Sequence, residues 1–260
     1  MPTKILLTND DSHDSPLFHY AIDALGQLGE LEIAVPAAEQ SWKGKAMTRF
    51  GNLYAERIEI HGIGAWSISG TPADCVNLAI YNLLEEKPDV IVSGTNIGKN
   101  TGLSFMFSSG TVGACLEANI AGIPALALSQ ELKPEQFFQW GEERQFDDDT
   151  ATMLRTISSQ CIPHVWNTLD IANLNQPVTW NVNLPLNNGG NDGSEPEIAK
   201  TRLGHTFYDG CFKRRGDQYF HDLRTVTIDP TPDTDETVVQ SGKISATLLD
   251  IKDFGQIIPS

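Results

Sequence analysis

The chain has 260 residues, of which 40% are hydrophobic and 20% are charged. These values are typical of a globular domain and exclude the disordered, collagen-like and coiled-coil classes. The formal net charge of −16 argues against a nucleic-acid polymer or an anionic membrane as the main partner, because both carry negative charge. We expect a cytoplasmic protein, since the sequence shows neither a secretory leader nor an apolar run of ~20 residues.

The first predicted element is a short apolar strand, residues 4–8, that stops close to two adjacent carboxylates, Asp10 and Asp11. Ser15 followed by Pro16 predicts a helix start directly afterwards. Neighbouring side chains of a continuing strand point to opposite faces, so both carboxylates can reach one ligand only if the backbone turns there. The sequence therefore predicts a strand-to-helix turn that carries an acidic pair.

Strands and helices alternate through the rest of the first half. Short apolar runs predict strands at three further places, residues 31–35, 90–93 and 124–129. Thr71 before Pro72 and Ser109 before Gly110 predict helix starts, and alternation within 57–68 predicts edge strands or a hairpin. This order predicts a three-layer α/β fold around a mostly parallel, doubly wound, Rossmann-like sheet.

The second half is less regular. Its predicted elements are two helices, a strand and a flexible loop, at residues 134–144, 147–161, 178–183 and 187–194. Strand-like alternation returns at 237–249, which predicts a β-rich carboxyl-terminal extension. We treat residues 1–260 as one α/β domain with a projecting extended or hairpin segment at about 196–230.

Polar side chains follow three strands of the predicted sheet. Asn9, Asp10 and Asp11 follow the first strand, Ser41 lies in the loop after the second, and residues 93–100 follow a third. The carboxyl ends of parallel strands lie at one edge of a sheet, so these loops can converge. Oxygen donors without His or Cys suit a hard divalent cation such as magnesium or manganese.

The stretch Ser109, Gly110 and Thr111 opens a predicted helix. Free amides at a helix start, a permissive glycine and two hydroxyls can bind an anion without basic side chains. A cation site beside an anion site is what hydrolysis of a phosphate ester requires, with a metal-activated water as the nucleophile.

Each pattern also has another explanation. An Asp-Asp turn can be a solvated bend, and the Ser109 stretch can be a simple helix cap. A phosphatase with an aspartyl nucleophile normally needs a second acid two positions after Asp10, where Ser12 stands. A nucleotide- or phosphate-binding protein with lost or altered catalysis is the non-enzymatic alternative.

Taken in order, these motifs resemble the SurE family of survival-protein nucleotidases. Single motifs are weak signals, but the ordered set is specific and spans nearly the whole chain. The matching stretches are residues 5–11, 35–41, 70–76, 88–98, 109–114, 181–185 and 234–245.

The resemblance implies a metal-dependent 5′/3′-nucleotidase that removes phosphate from nucleoside monophosphates, with short polyphosphate as a side substrate. It implies one divalent metal ion per subunit, magnesium, manganese or similar, and a homodimer or homotetramer that exchanges a carboxyl-terminal segment. The implied metal ligands are Asp10, Asp11, Ser41 and Asn96. Asp10, Asp11 and Asn96 are the implied catalytic residues, and the implied substrate contacts are Asn9, Asn96, Ser109, Gly110 and Thr111.

The chain departs from the family pattern in three places. Ser12 and Trp42 stand where the family usually has glycine, and the loop from 100 to 109 carries the mostly apolar stretch 103–107, Leu-Ser-Phe-Met-Phe, in place of a more acidic segment. Ser12 can follow the turn without strain only at negative φ. The departures leave the implied ligands in place and make substrate preference the open question.

Overall fold

The computed structural model describes residues 2–186, 196–223 and 225–254, so the predicted loop at 187–194 lies outside the described residues. Its strands, in chain order, are β1 (Thr3–Thr8), β2 (Gly29–Pro36), β3 (Ala55–Ile60), β4 (Ile63–Ile68), β5 (Val90–Ile97), β6 (Ala125–Gln130), β7 (Thr179–Leu184), β8 (Ile198–Thr201), β9 (Phe207–Tyr208), β10 (Phe212–Arg215), β11 (Gln218–His221), β12 (Val226–Thr227) and β13 (Ile244–Leu249).

The helices, in chain order, are α1 (Pro16–Leu25), α2 (Pro72–Leu78), α3 (Gly102–Ser108), α4 (Gly110–Ile120), α5 (Pro134–Glu143), α6 (Asp148–Thr168) and α7 (Asp235–Gln240). A π-helical turn, Ala79–Leu83, continues α2, and two short 3-10 turns lie at Ile171–Asn173 and Ile251–Asp253. Within the described ranges, no helix combines the length and apolar composition needed to cross a membrane.

Nine strands form the central sheet in the order β3-β4-β2-β1-β5-β6-β7-β13-β8. The strands from β4 to β7 in this order are parallel neighbours, whereas β3 pairs antiparallel with β4 and β13 pairs antiparallel with β7. The predicted parallel α/β sheet and the edge hairpin are confirmed. Thr8 at the end of β1 pairs with Ser93 of β5, so the polar residues that follow them emerge side by side.

Apolar side chains alternate between the two faces of the sheet, which makes three layers. Ile5 and Leu7 of β1 pack with residues of α1 and α6, whereas Leu6 packs on the opposite face with residues of α2 and α4. Both faces of β1 are therefore buried, and its carboxyl end is the place where polar residues can reach a cleft.

Two predicted helix starts are confirmed by their caps. The Thr71 hydroxyl accepts from the Asp74 amide at 3.1 Å and the Asp74 carboxylate accepts from the Thr71 amide at 2.9 Å. The Ser109 hydroxyl accepts from the Val112 amide at 3.1 Å. These bonds, of which those between Thr71 and Asp74 are reciprocal, satisfy amides that have no acceptor inside the helix.

Three predictions need correction. The loop before Ser109 contains α3, and the segment predicted as strand-like from residue 237 begins as α7, with only its end in β13. The helix predicted to end at residue 161 continues through Pro163 to Thr168. Residues between 207 and 227 form two small two-stranded sheets separate from the central sheet, β9 with β12 and β10 with β11.

Candidate active site

Asp10 lies in the turn after β1, is almost fully buried, and contacts the start of α4. The Thr111 hydroxyl donates to its carboxylate at 2.7 Å. A Cβ added at Gly110 would lie 2.8 Å from both the Cβ and a carboxylate oxygen of Asp10. Only glycine therefore lets the helix start this close to the acid, and the acidic pair and the predicted anion site are brought together.

Asp11 joins the same turn to β5. Its carboxylate accepts from the Ile97 amide at 2.9 Å. The neighbouring residue, Asn96, donates its side-chain amide to the Gly98 carbonyl at 2.6 Å, which directs the amide oxygen away from that carbonyl. The end of β5 thus lies against Asp11, as the predicted convergence of the two loops requires.

Asn9 braces the acidic turn, which we define as residues 9–12. Its side-chain amide donates to the Ser12 carbonyl at 2.7 Å, and Ser12 adopts a left-handed backbone with φ of 69°. The structure thus gives Asn9, predicted as a substrate contact, a bond inside the turn. Its side-chain oxygen is buried and has no hydrogen-bond partner among the described residues.

The loop that carries Ser41 contacts the acidic turn through its backbone, and Ser41 itself is exposed. The Gln40 amide donates to the Asp10 carbonyl at 2.7 Å, while the Ser41 hydroxyl donates to Glu39 at 2.6 Å. Glu39 is held in turn by Arg144, 2.5 Å away. A hydroxyl that donates its proton keeps its lone pairs, so this arrangement still allows the Ser41 oxygen to bind a cation.

Burial dominates the electrostatics of the acidic pair. It raises the pKa of Asp10 to about 6, although the hydrogen bond from Thr111 opposes the shift. Burial, and then the negative charge of Asp10, raise the pKa of Asp11 well above its ordinary value. A bound divalent cation would offset both the lost hydration and the mutual repulsion, so the pair fits a cation site.

Nearby neutral oxygens also fit such a site. The hydroxyls of Thr8, at the end of β1, and of Ser93 and Thr95, within β5, are buried and have no hydrogen-bond partner among the described residues. No group of three or more His, Cys, Asp or Glu side chains able to hold a metal occurs in the part of the chain that the structure describes. A cation at the acidic turn would therefore depend on two carboxylates plus neutral oxygens.

Comparison with known families places this geometry in context. The family model described as Survival protein SurE matches residues 5–209. The chain belongs to the SurE family. It is similar to a Methanopyrus kandleri protein named 5'-nucleotidase SurE, with 32% identity over 95% of this chain and 90% of the relative. A Methanocella arvoryzae protein of the same name is 33% identical, over 96% of this chain and 92% of the relative.

A solved structure shows the same fold. The crystal structure of the SurE protein from Aquifex aeolicus superposes with a TM-score of 0.67, at 24% identity, over 96% of this chain and 95% of that chain. The family resemblance and the fold class predicted from the sequence are both confirmed.

The two positions at which the family resemblance led us to expect glycine share one backbone feature. Ser12 has φ of 69° and Trp42 has φ of 62°, both in the left-handed region that favours glycine. The negative φ that would have spared Ser12 from strain is not adopted. The chain therefore keeps the backbone shape that glycine favours while placing side chains at both positions.

A buried polar network behind the SurE-like loop after β5 was not anticipated from the sequence. The backbone amide of Asn100 donates to the side-chain oxygen of Asn183 at 2.7 Å. The side-chain amide of Asn181 donates to the backbone carbonyl of Asn100 at 2.9 Å. Lys99 bridges Glu131 and Glu236 at 2.8 Å each. The family stretch at 181–185 was the signal that could have located the asparagines beside this loop.

Glu39 and Arg144 were also missed. Arg144 follows α5 and lies 105 positions after Glu39, so no local spacing links the two residues. Through Glu39, this arginine fixes the hydroxyl of Ser41.

Proposed function

We propose that this chain is a metal-dependent phosphomonoesterase that hydrolyses nucleoside monophosphates, a 5′/3′-nucleotidase. The observation that carries the proposal is the hydrogen bond between Asp10 and Thr111, which joins a buried acidic pair to the start of an eleven-residue helix. The curated relatives named 5'-nucleotidase SurE support the choice of substrate class.

The acidic turn and its neighbours would hold one divalent ion, magnesium or manganese, through Asp10, Asp11, Ser41 and Asn96. When bound, such an ion polarises a phosphoryl oxygen and lowers the pKa of a water molecule. Asp10, Asp11 and Asn96 are the proposed catalytic residues.

The start of α4 would bind and orient the phosphate group. By helix geometry, the amides of Gly110 and Thr111 have no acceptor inside α4, and they carry the positive end of the helix dipole, which the Thr111 amide already directs at the Asp10 carboxylate. Ser109 caps the Val112 amide and so holds this first turn open to an anion. Asn9 contributes as a proposed substrate contact and by fixing the turn that presents Asp10 and Asp11 to the bound metal ion.

The test is phosphate release from adenosine monophosphate with and without added manganese or magnesium. We expect release that depends on the metal and that Asp10→Asn lowers by at least about 100-fold, because removal of a key charge from a site of this kind costs several kcal/mol. Asp14→Asn is the matched control, since Asp14 is exposed and lies just beyond the same turn.

Two results would point elsewhere, and a third tests the side activity. Absence of metal-dependent release across a broad panel of nucleotides, with binding retained, would favour the binding protein with lost or altered catalysis; the strained Ser12 motivates that alternative. An acyl-phosphate trapped on Asp10 would favour an aspartyl nucleophile. Release from short polyphosphate under the same conditions tests the proposed side activity.

We also propose a homodimer or homotetramer that exchanges a carboxyl-terminal segment of a single α/β domain. The hairpin β10–β11 is exposed along its length, and Phe212 and Tyr219 project apolar surface from it. Light scattering of the full chain, compared with a Phe212→Ser, Tyr219→Ser variant, tests this assembly. The cytoplasmic location stays a prediction from the sequence.

A further inference from the structure

Four aromatic rings from three separate segments meet beside the proposed site. The Trp42 ring lies 4.7 Å from His221, 5.0 Å from Tyr208 and 5.9 Å from Phe105, measured between ring centroids. Phe105 and Tyr208 are themselves 5.5 Å apart. Trp42 comes from the loop after β2, Phe105 from α3, and the other two residues from the segment at 207–221, so the cluster joins parts of the chain that are remote in sequence.

The backbone on both sides of Trp42 is anchored at the proposed site. The Gln40 amide donates to the Asp10 carbonyl at 2.7 Å, and the Gly44 amide donates to the Ser108 carbonyl at 2.9 Å. Trp42 is two residues from each of these anchors, and two residues of chain span at most ~7 Å. The Trp42 backbone therefore lies within that distance of Gln40, which is bonded to Asp10, and of Gly44, which is bonded to the residue before the Ser109 cap of α4. We call residues 40–44 the tryptophan loop.

Trp42 holds its position at a conformational cost. Its φ of 62° is unfavourable for a bulky side chain, and 40% of the residue is exposed. Backbone geometry alone would favour glycine at position 42. The indole is not fully buried, so packing in the hydrophobic core does not explain its presence. A strained residue that places a large, partly exposed aromatic surface next to the acidic turn is typical of ligand contacts.

We propose that Trp42, supported by Tyr208, forms a platform on which the base of a nucleoside monophosphate stacks. This inference rests on the proposed function: the phosphate lies at the start of α4, and the base extends towards the tryptophan loop. Every base offers a π-face, so stacking on an aromatic ring distinguishes a nucleotide from a phosphate ester that has no base. The cluster thus selects nucleotides from other phosphate esters of similar charge.

The first experiment compares adenosine monophosphate with ribose 5-phosphate, which carries the same sugar and phosphate but no base. We expect Trp42→Ala to lower the ratio of the two kcat/KM values roughly tenfold, within the range of about five- to 150-fold that base stacking provides. Trp42→Phe should retain most of the preference because it keeps a planar ring. Tyr81→Ala is the control, since Tyr81 is 55% exposed and its ring lies beneath Lys87.

A second measurement keeps this inference separate from the proposed activity. Calorimetric titration with each compound should show a base-dependent gain in affinity for the wild type and for Trp42→Phe, and a loss of that gain in Trp42→Ala. If hydrolysis fails and this pattern appears, the proposed function is wrong and the platform stands. Equal changes for both compounds, no change in Trp42→Ala, or no binding of the nucleotide would each overturn the platform.

Discussion

The acidic turn and the tryptophan loop solve the same backbone problem in different ways. Both contain a non-glycine residue in the left-handed region, Ser12 and Trp42. The first is buried and braced by the Asn9 side chain, which donates to a main-chain carbonyl. The second is partly exposed and braced by ring contacts with residues more than 160 positions away.

This difference separates two tasks at one cleft. Hydrogen bonds to backbone atoms hold Asp10 and Asp11 in one geometry, as a charge-stabilising centre requires. Ring packing tolerates small shifts, because aromatic contacts are less directional than hydrogen bonds. The acidic turn therefore suits the chemistry common to phosphate esters, and the tryptophan loop suits discrimination among them.

The largest effect we expect concerns the acidic turn without metal. Burial raises the pKa of Asp10 from 3.8 to about 6, so the folded chain binds this proton more tightly than the unfolded chain does. The resulting stability is fully present below about pH 3.8 and is lost as the pH rises through about 6. Asp10→Asn keeps an acceptor for Thr111 and carries no charge. In metal-free urea unfolding, its free energy of unfolding relative to the wild type should rise between pH 4 and 8 by up to about 3 kcal/mol.

Asp14→Asn serves as the control for removal of one carboxylate, because Asp14 is exposed and lies outside the acidic turn. Added manganese should restore wild-type stability at pH 8, since a ligand that binds the folded state stabilises it. If the difference in free energy of unfolding between Asp10→Asn and the wild type stays constant with pH, burial does not raise the pKa of Asp10.

The next effect comes from the contact between the acidic turn and α4. Gly110→Ala places a methyl group 2.8 Å from Asp10, so either the acid or the helix must move. We expect the free energy of unfolding to fall by about 1 to 3 kcal/mol, as for other overpacked sites, and metal-dependent phosphate release to fall with it. Thermal unfolding and phosphate release measure the two effects.

Gly141→Ala is the matched control for Gly110→Ala. Gly141 lies within α5, and an added Cβ there would meet nothing within 4 Å. Helix propensity alone should then stabilise the variant by up to about 1 kcal/mol. If Gly110→Ala and Gly141→Ala raised the free energy of unfolding by similar amounts, the close contact between α4 and Asp10 would not restrict the residue at position 110.

The same contrast explains which features could be predicted from the sequence. The turn after β1 and the caps at Thr71 and Ser109 depend on residues within a few positions of one another, so local patterns identified them. Helix α3 was missed because its stabilising contacts are remote: the Gly102 amide donates to Asp235 at 2.7 Å, 133 positions later. The ring contacts of Trp42 with the segment at 207–221 were missed for the same reason.

The smallest effect compares the two strained residues directly. Ser12→Gly should relieve the left-handed strain and raise the free energy of unfolding by about 1 kcal/mol, because the bond from Asn9 goes to the main-chain carbonyl, which glycine retains. Trp42→Gly relieves similar strain but loses its ring contacts with Tyr208 and His221, each of the order of 0.5 to 1.5 kcal/mol, so we expect no net gain. Urea unfolding at pH 7 measures both, with Ser12→Ala as the control that keeps the strain. If Trp42→Gly stabilised the protein as much as Ser12→Gly, the rings would contribute nothing to holding the tryptophan loop, and the two loops would not differ in the way their contacts indicate.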